Sequence, residues 1–594
     1  MKMNMKQTVE NLNKENLVKA FKRLKKSTKG FTSLIVRDPL DYLDFEVNLD
    51  SNLDSLVFEV NSSSYHPQRP YLHLSAKSKG INRPTVVFDV KDALVYRFCI
   101  EQIEDVLIKK TRQKNVRGGI KITPNRSGDG DDFYEKWFED WMEHQKAVQN
   151  SLKNKEYLVT TDIASYFENI NILVLKDLVR GDVTEKNCVL NLLFYFLENT
   201  RFRYDYEVNT YNGLPQEDID CSRILAYYFL SSHDQTMGEF CKKYDADFYR
   251  FVDDMSIAVN SKVDGKWALK QMAESLRKLN LVSSIEKTSI IESSKAKEEL
   301  FFEENDRLTE LEDELKTKLK AGNDVKTTIK EVTKYYNKLI RAKKDHLKNW
   351  SKVLKRFYSL CVYSKSNFFF DKLINHLNEY PLLFSGDKIT KYLLQNKEQT
   401  KFNEVIGLFI DYLYSQENLY PSVESNILEM LLVLDQDFYS QQTLEKIKQL
   451  GLDIFFSKNN YKSLSDYARA ISCLLLYKFD HENLDKITNH YLKTNEKDGV
   501  LRKYLIFVSL TVGNQPLQQK VIEKARKEQN LSINRLVNFV DNINNYKDLK
   551  VVKDYLKRDK IIITFDKKKS LTIEQSIKPV RSDVLNKIIE IYKK

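Results

Sequence analysis

Cysteine is sparse and never paired in this chain. Its six residues, Cys99, Cys188, Cys221, Cys241, Cys361 and Cys473, stand singly along 594 positions. None has zinc-ligand spacing, so neither a disulfide-framed secreted scaffold nor a zinc module is indicated. The opening Met1-Lys2-Met3-Asn4-Met5-Lys6 lacks the apolar core of a secretory leader. No apolar run reaches the length of a membrane span. The expected setting is therefore the cytoplasm, with no membrane partner. Net charge is only +11, modest for a chain whose whole surface binds nucleic acid. A basic excess would count only where it lines a groove. No sharp internal repeat is visible. At this length more than one domain is expected.

What is present begins with Tyr249-Arg250-Phe251-Val252-Asp253-Asp254, followed by Met255 to Val259. Two short apolar runs around an acidic turn predict a β-hairpin carrying two carboxylates at its bend. Upstream, Tyr157 to Thr161 predicts a buried strand with Asp162 at its exit, turning through Ile163 to Asn169 toward a helix. Two strands that deliver carboxylates to one edge suit a two-metal site for phosphoryl chemistry on nucleotides. Hard oxygen donors favour Mg²⁺ or Mn²⁺ over zinc. Paired aspartates in a hairpin are also ordinary turn formers, so the weight rests on further segments. Gly213-Leu214-Pro215-Gln216 leads into a helix with Ser222 in its first turn, and Leu279 to Thr288 reads as a helix exit, a strand and a terminal lysine, Lys287.

Taken together and in this order, these segments resemble the reverse transcriptases. Asp162 with Phe167 resembles their motif A, Gly213 to Ala226 motif B, Phe251 to Asp254 motif C, and Lys287-Thr288 the end of motif D. The resemblance implies that Asp162 and Asp253 bind both metals, with Asp254 an indirect third carboxylate and the Ile163 carbonyl a further ligand. It implies that Phe167 gates against a 2′-hydroxyl, that Gln216 and Ser222 line the nascent base pair, and that Lys287 sits near the incoming triphosphate. Arg83, in Arg83-Pro84-Thr85 with Asp89 and Asp92 beyond, resembles the fingers segment and is a candidate phosphate contact. Motif B departs from the family pattern: Glu217 stands where a glycine is usual, followed by Asp218 and Asp220. Three carboxylates there would repel a phosphate backbone, which speaks against an ordinary template grip.

The fold expected is an α+β reverse-transcriptase-like palm and fingers over 1–295. A charged helical hairpin follows in the thumb position over 296–350, then an all-α, HEAT-like helical repeat domain over 351–594. Asp41 to Val60 reads as alternating strands. Lys109 to Gly119 reads as a basic loop, undecided between strand binding and a solvated connection. The aromatics of Phe133 to Trp141 read as core. A palm, an unusual motif B and a large helical C-terminal region are similar to the prokaryotic abortive-infection and defence-associated reverse transcriptases, of AbiA- or AbiK-like type. That similarity implies antiphage defence and a phage factor as trigger. It implies dNTPs as substrates and a single-stranded DNA product, made without a template and primed from a protein hydroxyl; RNA and a homo-oligomer are open as partners. The alternatives are a conventional RNA-templated reverse transcriptase, an RNA polymerase, and an inactive palm with a helical sensor or scaffold. Arg341 and His346 have the spacing of a HEPN ribonuclease pair, against which a solvated lysine-rich face weighs heavily.

Overall fold

A computed structural model describes residues 9–592 apart from 29, 32–33, 112, 114, 119–136, 201–211, 348, 459–460, 462, 558–562, 567–568 and 574–576. The strands in chain order are β1 Tyr71–Ser78, β2 Ile81–Val87, β3 Val116–Arg117, β4 Tyr157–Thr161, β5 Asp247–Phe251, β6 Asp254–Val259 and β7 Ser289–Glu292, with a distant pair β8 Ile563–Asp566 and β9 Lys569–Ile573. The helices named below are α1 Val90–Thr111, α2 Trp137–Ser151, α3 Cys221–Phe229, α4 Ser231–Tyr244, α5 Lys262–Lys278, α6 Pro421–Val433, α7 Asp466–Phe479 and α8 Gly499–Ser509. Two compact units divide the chain. One comprises Met1–Ser27, Leu53–Pro70 and Phe88–Asp306; the other comprises Thr28–Asn52, Tyr71–Val87 and Arg307–Lys594.

The first unit is built on a five-stranded sheet of order β3-β5-β6-β4-β7. β5 and β6 form a tight hairpin whose last pair is Phe251 with Asp254, leaving Val252 and Asp253 as the turn. β4 runs antiparallel to β6, with Thr161 opposite Met255, so the chain leaves β4 at the hairpin's tip. Both faces of the sheet are covered. Leu158, Tyr249 and Ala258 pack with Val148 and Leu152 of α2 and with Phe302. On the other face α5 lies so close that a Cβ on Gly265 would stand 3.1 Å from Ile290 and 3.2 Å from Val159. This double burial is why β4 reads as a continuous apolar run rather than an alternating one. Each fully buried Leu or Val contributes roughly 1.5–3 kcal/mol. Of the basic loop, Val116 and Arg117 form an edge strand: β3 runs parallel to β5 with Val116 opposite Arg250. Trp141 of α2 meets Phe251 edge-on at 5.0 Å; Phe133 to Lys136 lie outside the described residues.

The second unit is helical apart from its β pairs. The charged hairpin forms from Phe302–Lys320 and Lys326–Arg341, burying Leu308, Leu311, Leu315, Val332, Tyr336 and Leu339. Lys478 on α7 donates to the Leu432 and Leu434 carbonyls at 2.8 and 2.7 Å, satisfying acceptors that the end of α6 leaves open. Two N-terminal pieces belong here, so the division is not the contiguous one that the sequence suggests. The β1–β2 hairpin is pinned by the Ser422 and Tyr420 hydroxyls, which accept from the Ala76 and Gly80 amides at 2.9 and 2.7 Å. Lys503 of α8 lies between Asp38 and Asp44, at 2.6 and 2.7 Å, and Arg581 bonds Asp41 at 2.6 Å. Asp41 to Val60 is not stranded: Leu43–Glu46 and Leu49–Asn61 are helices. Leu53, Leu56 and Val60 are buried at spacings of three and four, one helical stripe. Among the described residues no helix is long and apolar enough to cross a membrane.

Candidate active site

The exit of β4 and the tip of the β5–β6 hairpin bring Asp162 and Asp253 together. Asp162 is buried, with one carboxylate oxygen, Oδ2, receiving the Lys287 ammonium. The other, Oδ1, is buried with no hydrogen-bond partner. Burial, followed by the neighbouring Asp162 and Asp254 charges, pushes Asp253 up to about 7. Asp254 is exposed at the start of β6. Lys287 arrives on a turn fastened to motif A: Ser284 N–H donates to the Asp162 carbonyl at 2.7 Å, Ala164 N–H to the Val282 carbonyl at 2.9 Å, and Ile163 bridges Ser283. Burial works against the Lys287 ammonium. Its bond to Asp162 and the nearby Asp254 and Asp253 charges nonetheless hold its pKa above the ordinary value.

The turn between the two hairpin strands is unusual. Val252 has φ 57°, a left-handed conformation that a β-branched residue rarely takes. Its N–H donates to the Arg117 carbonyl of β3 at 3.1 Å, and its carbonyl accepts from Arg250 Nη1 at 2.7 Å. Arg250 also forks onto Asp234 of α4, Nε to Oδ1 at 2.7 Å and Nη2 to Oδ2 at 2.5 Å. Both side chains are wholly buried, and the guanidinium lies 4.9 Å from the Tyr227 ring centre. The sequence reading passes over this pair. Its signal is an arginine inside an apolar strand, which needs a buried carboxylate.

The segment that begins at Gly213 folds back on the one that follows Asp162. Leu214 N–H donates to the Phe167 carbonyl at 2.8 Å, and Gly213 N–H to that of Ile170 at 2.9 Å. The Tyr166 hydroxyl reaches the Ala226 carbonyl of α3. Phe167 is half-buried, its ring edge-on to Tyr166 at 5.6 Å, and Gln216 is half-buried in the loop. Glu217 is turned inward. Its carboxylate accepts from the Ser222 N–H at 2.6 Å and the Ile219 N–H at 2.5 Å, closing the N-terminus of α3. Burial pushes it up to about 7. Asp220 pairs with Arg223 at 3.2 Å. The expectation of three carboxylates facing a phosphate backbone is corrected accordingly: one is a helix cap and another is paired with arginine.

Other expected contacts also fall elsewhere. Ser222 is 1 % exposed, its hydroxyl 2.8 Å from that of Tyr96 on α1; it is part of the core between two helices and lines no open surface. Arg83 lies on β2 opposite Ser75, in the second unit, and is not among the residues the first unit gathers. Asp92 is a structural acceptor for the Tyr65 hydroxyl and the Gln68 N–H, both at 2.8 Å. Arg341 ends its helix and His346 sits in a separate 3-10 turn, Lys344–His346, so the shared helix that the ribonuclease reading requires is absent.

Among the described residues no three His, Cys, Asp or Glu side chains are gathered into a metal cage. The arrangement present is a close pair, Asp162 and Asp253, with the Asp254 charge beside it and one buried oxygen unpartnered. Hard oxygen donors with three carboxylates gathered around one lysine fit a divalent cation such as Mg²⁺ or Mn²⁺.

No family model and no curated protein matches the chain. Among solved structures it is similar to telomerase from Candida albicans in complex with a TWJ fragment of telomeric RNA, at 12% identity and a TM-score of 0.29, over 61% of this chain and 66% of that one. The corresponding Candida tropicalis complex gives 12% and 0.29 over 68% of each chain. The chain thus spans about two thirds of the length of those telomerases.

Proposed function

We propose that the first unit is a nucleotidyl-transfer centre of the reverse-transcriptase type, adding deoxynucleotides to a primer hydroxyl. The observation that carries this is the Asp162–Asp253 pair: two carboxylates from adjacent strands, held together against their own repulsion, with a buried oxygen left without a donor. Such an arrangement is costly unless a cation resolves it. Asp162 and Asp253, with Asp254, would hold Mg²⁺ or Mn²⁺, which when bound activates the attacking hydroxyl and neutralises charge on the phosphates. Lys287 supplies the counter-charge to Asp162 and in this reading would exchange that carboxylate for an incoming phosphate. Phe167, whose carbonyl accepts from the Leu214 N–H, would gate against a 2′-hydroxyl and so favour dNTPs, as the resemblance of the motifs implies.

The defence setting, a phage-derived trigger, a product attached to the protein and addition without a template belong to the same proposal. They rest on the resemblance of the motifs. The acidic loop supports template independence less than its sequence suggests, because Glu217 is spent on the α3 cap. A second reading, an inactive palm serving a helical sensor, is favoured by one observation: an ammonium already engages Asp162.

Labelled-dNTP incorporation by the full chain with Mg²⁺ or Mn²⁺, with and without primer-template and with and without protease, tests the proposal. Asp253→Ala with Asp254→Ala is the control. Product lost in the control supports nucleotidyl transfer. A protease-sensitive, template-free product supports the finer reading, and product only on primer-template makes the enzyme conventional. No product under any condition sinks the proposal in favour of the sensor.

A further inference from the structure

We infer that Arg250 is a positioning residue which, braced by Asp234, holds the strained Val252 turn and so sets where the Asp253 carboxylate points. The inference rests on the proposed function, because it concerns the same carboxylates.

A buried ion pair by itself explains little, since well-packed apolar residues often serve a core as well or better. Arg250 does something that an apolar residue could not. Two of its nitrogens are fixed on Asp234, and the third, Nη1, donates to the Val252 carbonyl at 2.7 Å. The Val252 N–H is held from the other side by the Arg117 carbonyl at 3.1 Å. Both backbone polar groups of one residue are thus fixed, and that residue has φ 57°, where a β-branched side chain is strained and glycine is not. Strain of this kind persists only where its surroundings over-determine it. The surroundings do so here: a Cβ added to Gly118 would stand 3.6 Å from Val252 Cγ2 and 3.3 Å from the Tyr227 ring, so the valine is packed over the end of β3. Asp253 is the next residue. A Val252 turn that relaxed would rotate the peptide carrying Asp253 and swing its carboxylate away from Asp162. Lysine could not substitute, because one ammonium cannot span a bidentate carboxylate and a separate carbonyl in fixed geometry.

The test compares the full-length wild type, Arg250→Lys, and Arg250→Lys with Val252→Gly, by two readouts: hydrogen exchange of the peptide spanning the turn, and binding of Mn²⁺ alone by electron paramagnetic resonance. Arg250→Lys is expected to speed exchange at the turn and to weaken Mn²⁺ binding by roughly 10–100-fold, the usual range for residues that orient metal ligands. Glycine at 252 adopts the turn without strain, so the double variant is expected to recover most of the Mn²⁺ affinity. A lower melting temperature with turn exchange and Mn²⁺ binding unchanged would show that the pair is only core, as would a loss that glycine does not recover. If Arg250→Lys fails to fold, Asp234→Asn, which keeps one acceptor oxygen, is read by the same two measurements. A wild type that binds no Mn²⁺ overturns the proposed function, while turn exchange still decides the role of Arg250.

Discussion

The carboxylate site and the helical unit balance charge in opposite ways. In the helical unit three buried aspartates meet three cations: Lys503 sits between Asp38 and Asp44, and Arg581 and Lys578 flank Asp41. Burial alone would strip the Lys503 proton, yet the two aspartates hold its pKa above the ordinary value. In the first unit three carboxylates, Asp162, Asp253 and Asp254, crowd around one lysine, Lys287, which pairs with Asp162. Matched burial serves to select which segment docks where. Unmatched burial lowers stability, and a fold that retains it has a use for the unspent charge.

Charge removal should therefore act in opposite senses. Asp253→Asn is expected to cut dNTP incorporation by about 10³-fold, equivalent to about 4 kcal/mol of transition-state stabilisation, while leaving the melting temperature at neutral pH the same or higher. A marked fall in melting temperature would break the contrast. Lys503→Met strands two buried carboxylates. It should lower the urea midpoint of the second unit by an amount equivalent to about 3–5 kcal/mol, and converting Asp38 and Asp44 to leucine in the same chain should restore much of it. Ser222→Ala removes a buried hydroxyl pair and should cost about 1 kcal/mol of stability without altering the KM for dNTP; a KM raised several-fold would return Ser222 to the nucleotide site.

The smallest effect concerns Glu217. Its folded pKa, about 7, lies above the ordinary 4.5, so the native state holds the proton more tightly than the unfolded chain. Its contribution to stability is full below about pH 4.5 and is lost as pH rises to about 7. Glu217→Gln should flatten that part of the stability profile, read as melting temperature across pH 4–8.

Much of the site frame could be read from the sequence because it is local. The β5–β6 turn follows from two apolar runs around Asp253-Asp254, and Asp162 follows from the run that ends at Thr161. What could not be read depends on distant partners. Ser222 looks like an exposed helix start until Tyr96 arrives 126 positions away. Glu217 looks like loop charge until its carboxylate turns back onto two amides. Leu43 to Val60 was open to misreading because acids and asparagines interrupt the apolar stripe, giving local alternation over a helical period. The anchoring of the hairpin that carries Arg83 depends on hydroxyls more than 300 positions downstream, those of Tyr420 and Ser422.

That long reach sets a clock. Asp44 meets Lys503 across 459 positions. At about 5–20 residues per second, a ribosome takes on the order of 20–90 s to supply the lysine. Throughout that interval Asp44 lacks its lysine, and for most of it the β1–β2 hairpin lacks Tyr420 and Ser422, although the sequence of the carboxylate site has already been made. A nascent chain would thus complete its chemistry-bearing half first, and a chain stopped near Asp306 would carry that half with its acidic N-terminal segment still looking for a home.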